Sequence, residues 1–309
     1  MRRLLPILTL LLSCGGEAPQ PAHPPRSAVT PPPPGVVRFL VGGDSRQDGA
    51  HVLPWALDLA KVRGASAFLF LGDMELTPSF DAHFRKELGA LAPIPFYPVL
   101  GNHEVKLLGA LGVGQGPAEK EFREHFLGTP GTPVKSSLAN KIVYSANLAG
   151  GVHFVALDNV SQKGFGADQL AWLAADLDQA RFDPDVRHIF VGVHKPLAHN
   201  KVTTHSMDYD GPDAVADSDV AFALFEKAHV DLILESHLHE FARYDQGGIR
   251  CYITGGLGAP LARSSPDHAF HHVLVIDVYD RGAVNVDVAR FEGAPTFETD
   301  QVAVDDPND

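Results

Sequence analysis

Cysteine is nearly absent. The chain carries two in 309 residues, Cys14 and Cys251, which rules out a disulfide scaffold. Cys251, inside the run Cys251-Tyr252-Ile253-Thr254, reads as a buried strand thiol and not as a nucleophile. Positive charge is also short: 25 Lys and Arg stand against 38 Asp and Glu, a formal net charge of −13. Nucleic acids and anionic lipid surfaces select basic faces, so neither is an expected partner. Apolar runs long enough to span a bilayer are missing, since the N-terminal stretch Leu4 to Leu12 falls well short of about 20 residues. There is no Gly-x-Ser-x-Gly elbow, which sets aside a hydrolase built on a serine nucleophile.

What remains is apolar enough, 45% hydrophobic against 20% charged, to bury a large core. The length suits one domain near the upper size limit. Residues 1–13 have the shape of a secretory signal peptide, with Arg2 and Arg3 ahead of the apolar stretch. The ending Leu11-Leu12-Ser13-Cys14-Gly15 resembles a bacterial lipobox, which implies cleavage before Cys14 and lipid on that residue. Residues 14–35 then form a Pro-rich tether in polyproline-like conformation, and residues 36–295 the folded domain. Residues 296–309, rich in acids and without a base, are expected to be a disordered tail. The expected location is the bacterial cell envelope, facing the periplasm or exterior, with membrane contact only through the anchor. Nothing in the sequence fixes an oligomeric state.

Five short blocks fall in one order: Gly43-Asp44-Ser45-Arg46, Gly72-Asp73, Gly101-Asn102-His103-Glu104, His194, and His237-Leu238-His239. Each follows a run that reads as a strand: Val36 to Val41, Ala67 to Leu71, Phe96 to Leu100, His188 to Val193 and Val230 to Leu234. Candidate ligands therefore gather at the C-terminal edge of a sheet, where loops converge and α/β proteins bind ligands. Val52 to Arg63, Pro78 to Leu91, Ala167 to Ala180 and Asp219 to Ala228 carry helical patterns. Gly248 to Thr254, His272 to Tyr279 and Ala283 to Phe291 read as later strands. The expected fold is α/β, two packed mixed β-sheets flanked by helices. Carboxylate and amide oxygens mixed with imidazoles suit Mn, Fe or Zn ions, and two such ions can hold both oxygens of an in-line displacement.

This ordered set resembles the calcineurin-like metallophosphoesterase superfamily over roughly Val36 to Phe291. The runs Ser236 to Arg243 and Tyr144 to Asp158 look most like its purple-acid-phosphatase-like branch. The resemblance implies a four-layer sandwich, two divalent or trivalent metal ions (Fe, Mn or Zn), and hydrolysis of a small phosphorylated substrate, monoester or diester, by a bridging hydroxide. Asp44, Asp73 and His239 would hold the first ion. Asp73 as the bridge, Asn102, His194 and His237 would hold the second. His103 would protonate the leaving oxygen, with Glu104 orienting or tuning it.

The departure from the family lies at the first ion. Members carry a His where this chain has Arg46 or, in the purple branch, a Tyr where it has Leu76. Arg46 stays protonated and has no lone pair to give. Two readings stand side by side. The first ion has a weaker three-ligand site completed by water or Glu75, or Arg46 binds substrate phosphate bidentately and is itself a candidate catalytic residue. The same departure sustains an alternative function, a non-catalytic lipoprotein that keeps the fold and one metal site and binds an anionic ligand.

Substrate recognition is expected in two long loops, Lys106 to Ala118 and Ala198 to Ser218. His199 and His205, in the second, read as solvated imidazoles. His153, His271 and His272 read as hydrogen-bonded sheet histidines, and Trp55 and Trp172 as core.

Overall fold

The structure, a computed structural model, describes residues 31–48, 50–74, 86, 88, 89, 91–106, 122–124, 126–128, 134–203, 205–262 and 268–293. The expected signal peptide, Cys14, Glu75, Leu76, most of the helix expected over 78–91, nearly all of the loop over 106–118 and the acidic tail lie outside the described residues.

In chain order the elements are β1 (Val36–Gly42), α1 (Val52–Val62), β2 (Ala67–Phe70), β3 (Phe96–Pro98), α2 (Asn102–Lys106), β4 (Tyr144–Leu148) and β5 (Val152–Ala156). Then follow α3 (Ala167–Phe182), β6 (His188–Gly192), α4 (Pro212–Ala228), β7 (Leu232–Glu235), β8 (Phe241–Gln246), β9 (Ile249–Thr254), β10 (His272–Tyr279) and β11 (Val284–Arg290). They form a five-stranded sheet of order β11-β10-β1-β2-β3 and a six-stranded sheet of order β4-β5-β6-β7-β9-β8. Both are mixed: β1, β2 and β3 run parallel, as do β5, β6, β7 and β9, while β10, β11, β4 and β8 pair antiparallel at the flanks.

The near-continuous apolar strands are explained by burial on both faces. In β1, Phe39 and Val41 enter the layer between the sheets, while Leu40 points to the helical side. β2 splits the same way, Ala67 and Leu69 inward, Phe68 and Phe70 outward. β6 offers Phe190 to the inner layer and Ile189 and Val191 to the other side. The outer face of the five-stranded sheet is covered by Leu53, Ala56, Leu57 and Ala60 of α1. That of the six-stranded sheet is covered by Leu173 and Leu177 of α3 and Ala221 and Phe225 of α4. Helix, sheet, sheet and helix make the expected four layers. Each fully buried Phe or Leu contributes roughly 1.5–3 kcal/mol over an exposed one.

Three boundaries differ from expectation. α4 starts at Pro212, not Asp219, because Pro at the first helical turn and Asp213 beside the helix dipole form a strong start. Part of the expected recognition loop is therefore helix, preceded by a 3-10 turn at Met207–Asp210. β7 begins at Leu232, since the Asp231 carboxylate turns aside to accept the Ile189 N–H at 3.0 Å. β8 was not anticipated; none of its six positions is buried, and the turn at Gly247 and Gly248 folds it back on β9. None of the described helices is long and apolar enough to cross a membrane.

Candidate metal centre

The C-terminal ends of β1, β2, β3, β6 and β7 deliver Asp44, Asp73, Asn102, His194 and His237 to one edge. Their loops are locked together by backbone: the Asp44 N–H donates to Gly72 O and the Arg46 N–H to Asp73 O, both at 2.9 Å. Gly72 has φ +93, and a Cβ there would stand 2.7 Å from Gly101 and from His194 Nδ1. Only glycine allows so close an approach. Asp44, Arg46, Asp73 and His237 themselves sit in the left-handed region, with φ of 59, 42, 59 and 70°. Such conformers cluster at functional sites.

Glu104 holds the edge from beneath. Its Oε2 accepts the N–H groups of Gly101 (2.8 Å) and Asp73 (3.0 Å), and its Oε1 that of Met74 (2.6 Å). The carboxylate expected to orient His103 thus ties the β2 and β3 loops together. His103 donates its backbone N–H to Asp73 Oδ1 at 2.9 Å, and its Nε2 lies 3.8 Å from Asp73 Oδ2. The His103 side chain is 18% exposed, although its Nε2 is turned inward.

The inner atoms are rich in acceptors. His194 Nδ1 lies 2.7 Å from Leu71 O, a bond only an N–H can make, so Nε2 turns a lone pair inward. That Nε2 is 2.7 Å from Asn102 Oδ1, 3.3 Å from Asp73 Oδ1 and 3.2 Å from His237 Nδ1. His237 Nδ1 is 2.9 Å from the same Asn102 oxygen. Among the described residues, Asp44 Oδ1, Asp73 Oδ2 and His237 Nε2 are buried without a hydrogen-bond partner. Buried polar atoms are ordinarily paired, and a cation reconciles this set. The donors fit a first-row transition metal ion.

Protonation states agree. Burial pushes the Asp73 carboxyl up, but His194, His103, Arg46 and the His103 N–H outweigh it and hold the group well below the carboxylate range. Burial pushes His237 well down, and His194, Lys195, His205 and His239 push the same way. An ionised carboxylate and a neutral imidazole are the forms that bind metal.

Among the described residues one group comes together as a metal-holding set: Asp73, His194 and His237, with ligand atoms within 4.8 Å of one another. Asn102 stands among them. Asp44 and His239 lie to one side. Asp44 Oδ2 accepts from Ser236 Oγ and from the His237 N–H at 2.9 Å. His239 Nδ1 meets Pro260 O at 2.6 Å, which points Nε2 toward Asp44 Oδ1 at 3.5 Å. Arg46 Nε is 3.9 Å from Asp73 Oδ2.

A model of calcineurin-like phosphoesterases matches residues 37–241, well over half of the chain. The chain belongs to that family. It is 24% identical over 254 residues to a probable purple acid phosphatase of Arabidopsis thaliana, covering 79% of this chain and 54% of that protein. A second purple acid phosphatase of the same plant is 26% identical over 199 residues, covering 62% of this chain and 40% of that protein. The chain thus spans about half the length, or less, of these curated relatives. The fold is similar to that of a purple acid phosphatase from yellow lupin seeds, with TM-score 0.62 and 14% identity over 85% of this chain and 53% of that one.

Two loop residues exceed their expected roles. His205 packs its ring against His237, centroids 4.8 Å apart, and toward Tyr209 at 5.9 Å. Lys195, next to His194, holds that turn through Asp210, with both carboxylate oxygens within 2.9 Å of Nζ. His199, by contrast, is exposed beside Asp208 and Asp219, as expected. His153, His271 and His272 are hydrogen-bonded as read from the sequence, and Cys251 is a buried free thiol.

Proposed function

We propose that this chain hydrolyses phosphate esters at the metal centre. The convergence of Asp73, Asn102, His194 and His237 on one another, with a buried carboxylate oxygen of Asp73 left without a hydrogen-bond partner among the described residues, carries the reading. Metal held there would neutralise phosphate oxygens and make a water more acidic. The chain's own residues supply the rest. Asp73 contributes an ionised carboxylate at the heart of the site. Asn102 and His194, each fixed by its strand end, set the geometry. His103 stands beside Asp73 at the exposed mouth and donates a proton to the leaving oxygen. Glu104 keeps His103 and Asp73 in register by clamping both loops.

The test is turnover of an aryl phosphate monoester and the matching diester, before and after chelation and on return of Mn²⁺ or Zn²⁺. Turnover of at least one ester, lost on chelation and restored by metal, is expected. If the metal-loaded, folded protein hydrolyses neither, the hydrolase reading falls, and an anion-binding lipoprotein takes its place.

We also propose that the chain is a lipoprotein of the bacterial envelope, supported by the basic start, short apolar stretch and Leu-Leu-Ser-Cys ending of its N-terminus. Stable anchoring takes more than one acyl chain, each buried methylene adding about 0.8 kcal/mol. Cys14→Ser should therefore release the protein from the membrane fraction or block its processing; a wild-type protein found soluble would refute the anchor.

A further inference from the structure

The two sides of Asp73 are built differently. On its Oδ1 side stand His194, His237 and Asn102, a compact donor set. Asp44 and His239, among the described residues, do not join Asp73 as a second compact group. Near Asp73 Oδ2 stand His103 Nε2 at 3.8 Å and a permanent cation of the chain itself, Arg46 Nε, at 3.9 Å. Arg46 Nε and Asp73 Oδ2 are buried and, among the described residues, have no hydrogen-bond partner.

The backbone brings Arg46 there. Its N–H is bonded to Asp73 O at 2.9 Å, and its φ of +42° bends the chain sharply just after Asp44. The next turn closes with the Asp48 N–H on Ser45 O at 2.8 Å. The side chain therefore starts beside Asp73. Its guanidinium stays charged and offers no lone pair, so it opposes a cation on the Oδ2 side twice, by repulsion and by supplying no donor. We infer that the chain binds one metal ion tightly, at Asp73, Asn102, His194 and His237, and that Arg46 stands in for a second ion beside the outer oxygen of Asp73. The inference rests on the metal-centre reading above.

Outer-shell partners alone are commonly worth about 10- to 100-fold in metal affinity. A half-site that lacks a donor and faces a guanidinium should therefore bind at least about 100-fold more weakly than its neighbour. The experiment is calorimetric titration of the metal-stripped full chain with Zn²⁺, with metal content per chain measured after desalting and folding followed by circular dichroism. The wild type should retain one equivalent. Arg46→His supplies a nitrogen, and His is a residue type that enters the left-handed region readily; this variant should retain two. Arg46→Lys keeps the charge and should stay at one. Two equivalents of similar affinity in the wild type overturn the inference while leaving the metal centre intact. One equivalent in folded Arg46→His, or two in Arg46→Lys, overturns the role of Arg46. No bound metal in the folded wild type overturns the metal-centre reading and this inference with it.

Discussion

Two polar clusters lie at opposite ends of the six-stranded sheet, one part-buried and one buried. Near the N-terminal end of β5, His153 meets Asn147 Oδ1 at 2.6 Å and Asp176 Oδ2 at 2.9 Å, while Asp176 Oδ1 accepts from Ser145 Oγ at 2.5 Å. At the C-terminal end, His194 and His237 meet an oxygen and each other, and the carboxylates keep buried oxygens without a hydrogen-bond partner. A histidine and an aspartate are present in both. Pairing separates them: in the far cluster each of these side-chain polar atoms has a hydrogen-bond partner, while the near one leaves carboxylate oxygens without one among the described residues and suits a positive charge. Residue type identifies neither cluster as a site. The mismatch of donors and acceptors does.

The contrast is sharpest in rate. His103→Ala should slow esters with poor leaving groups by about 10²- to 10⁴-fold, good leaving groups much less, at unchanged metal content. Metal loss in this variant would place His103 among the ligands, and an equal loss of rate for all esters would remove it as proton donor.

Next in size is an acid effect on stability, from a paired histidine near the same edge. His272 meets Thr254 Oγ1 at 3.0 Å and Phe270 O at 2.8 Å, and burial, helped by His271 and Arg290, pushes it down to about 4. The unfolded chain, with its histidine near 6.5, binds the proton more readily in that window. His272 thus contributes stability that is present above pH 6.5 and is lost as pH falls toward 4, roughly 3 kcal/mol in all. Urea unfolding of the wild type and of His272→Gln across this range should differ by a growing amount as pH drops. Parallel curves would show that His272 does not titrate as argued.

The smallest effect belongs to the far cluster. Asp176→Asn should cost about 1–2 kcal/mol in unfolding free energy and leave turnover and metal content as they were. A change in either would mean that the two ends communicate, and the comparison between them would break.

Much of the near cluster was legible because each ligand follows its strand by only a few residues. Local pattern fixes β1, β2, β3, β6 and β7, and their ends carry the blocks. What escaped was set by contacts between distant segments. Glu104 reaches Asp73 and Met74, about thirty residues away, and no local signal marks a carboxylate for that task. Asp48 caps α1 by accepting the N–H groups of Val52 and Leu53. His205 meets His237 only because the Lys195 and Asp210 pair draws the turn inward. The early start of α4 was legible in Pro212 and Asp213. β8 was hidden by its polar face, which carries no apolar alternation to read.

The left-handed turns at Asp44, Asp73 and His237 narrow the alphabet of this edge twice over. Metal chemistry asks for carboxylate or imidazole, and a positive φ favours Asp, Asn and His among residues with a side chain. The two filters admit nearly the same few letters. A Glu at position 73 would satisfy the chemistry and strain the turn, and a Gly would relieve the turn and forfeit the chemistry. Sequence drift at these positions therefore has almost nowhere to go.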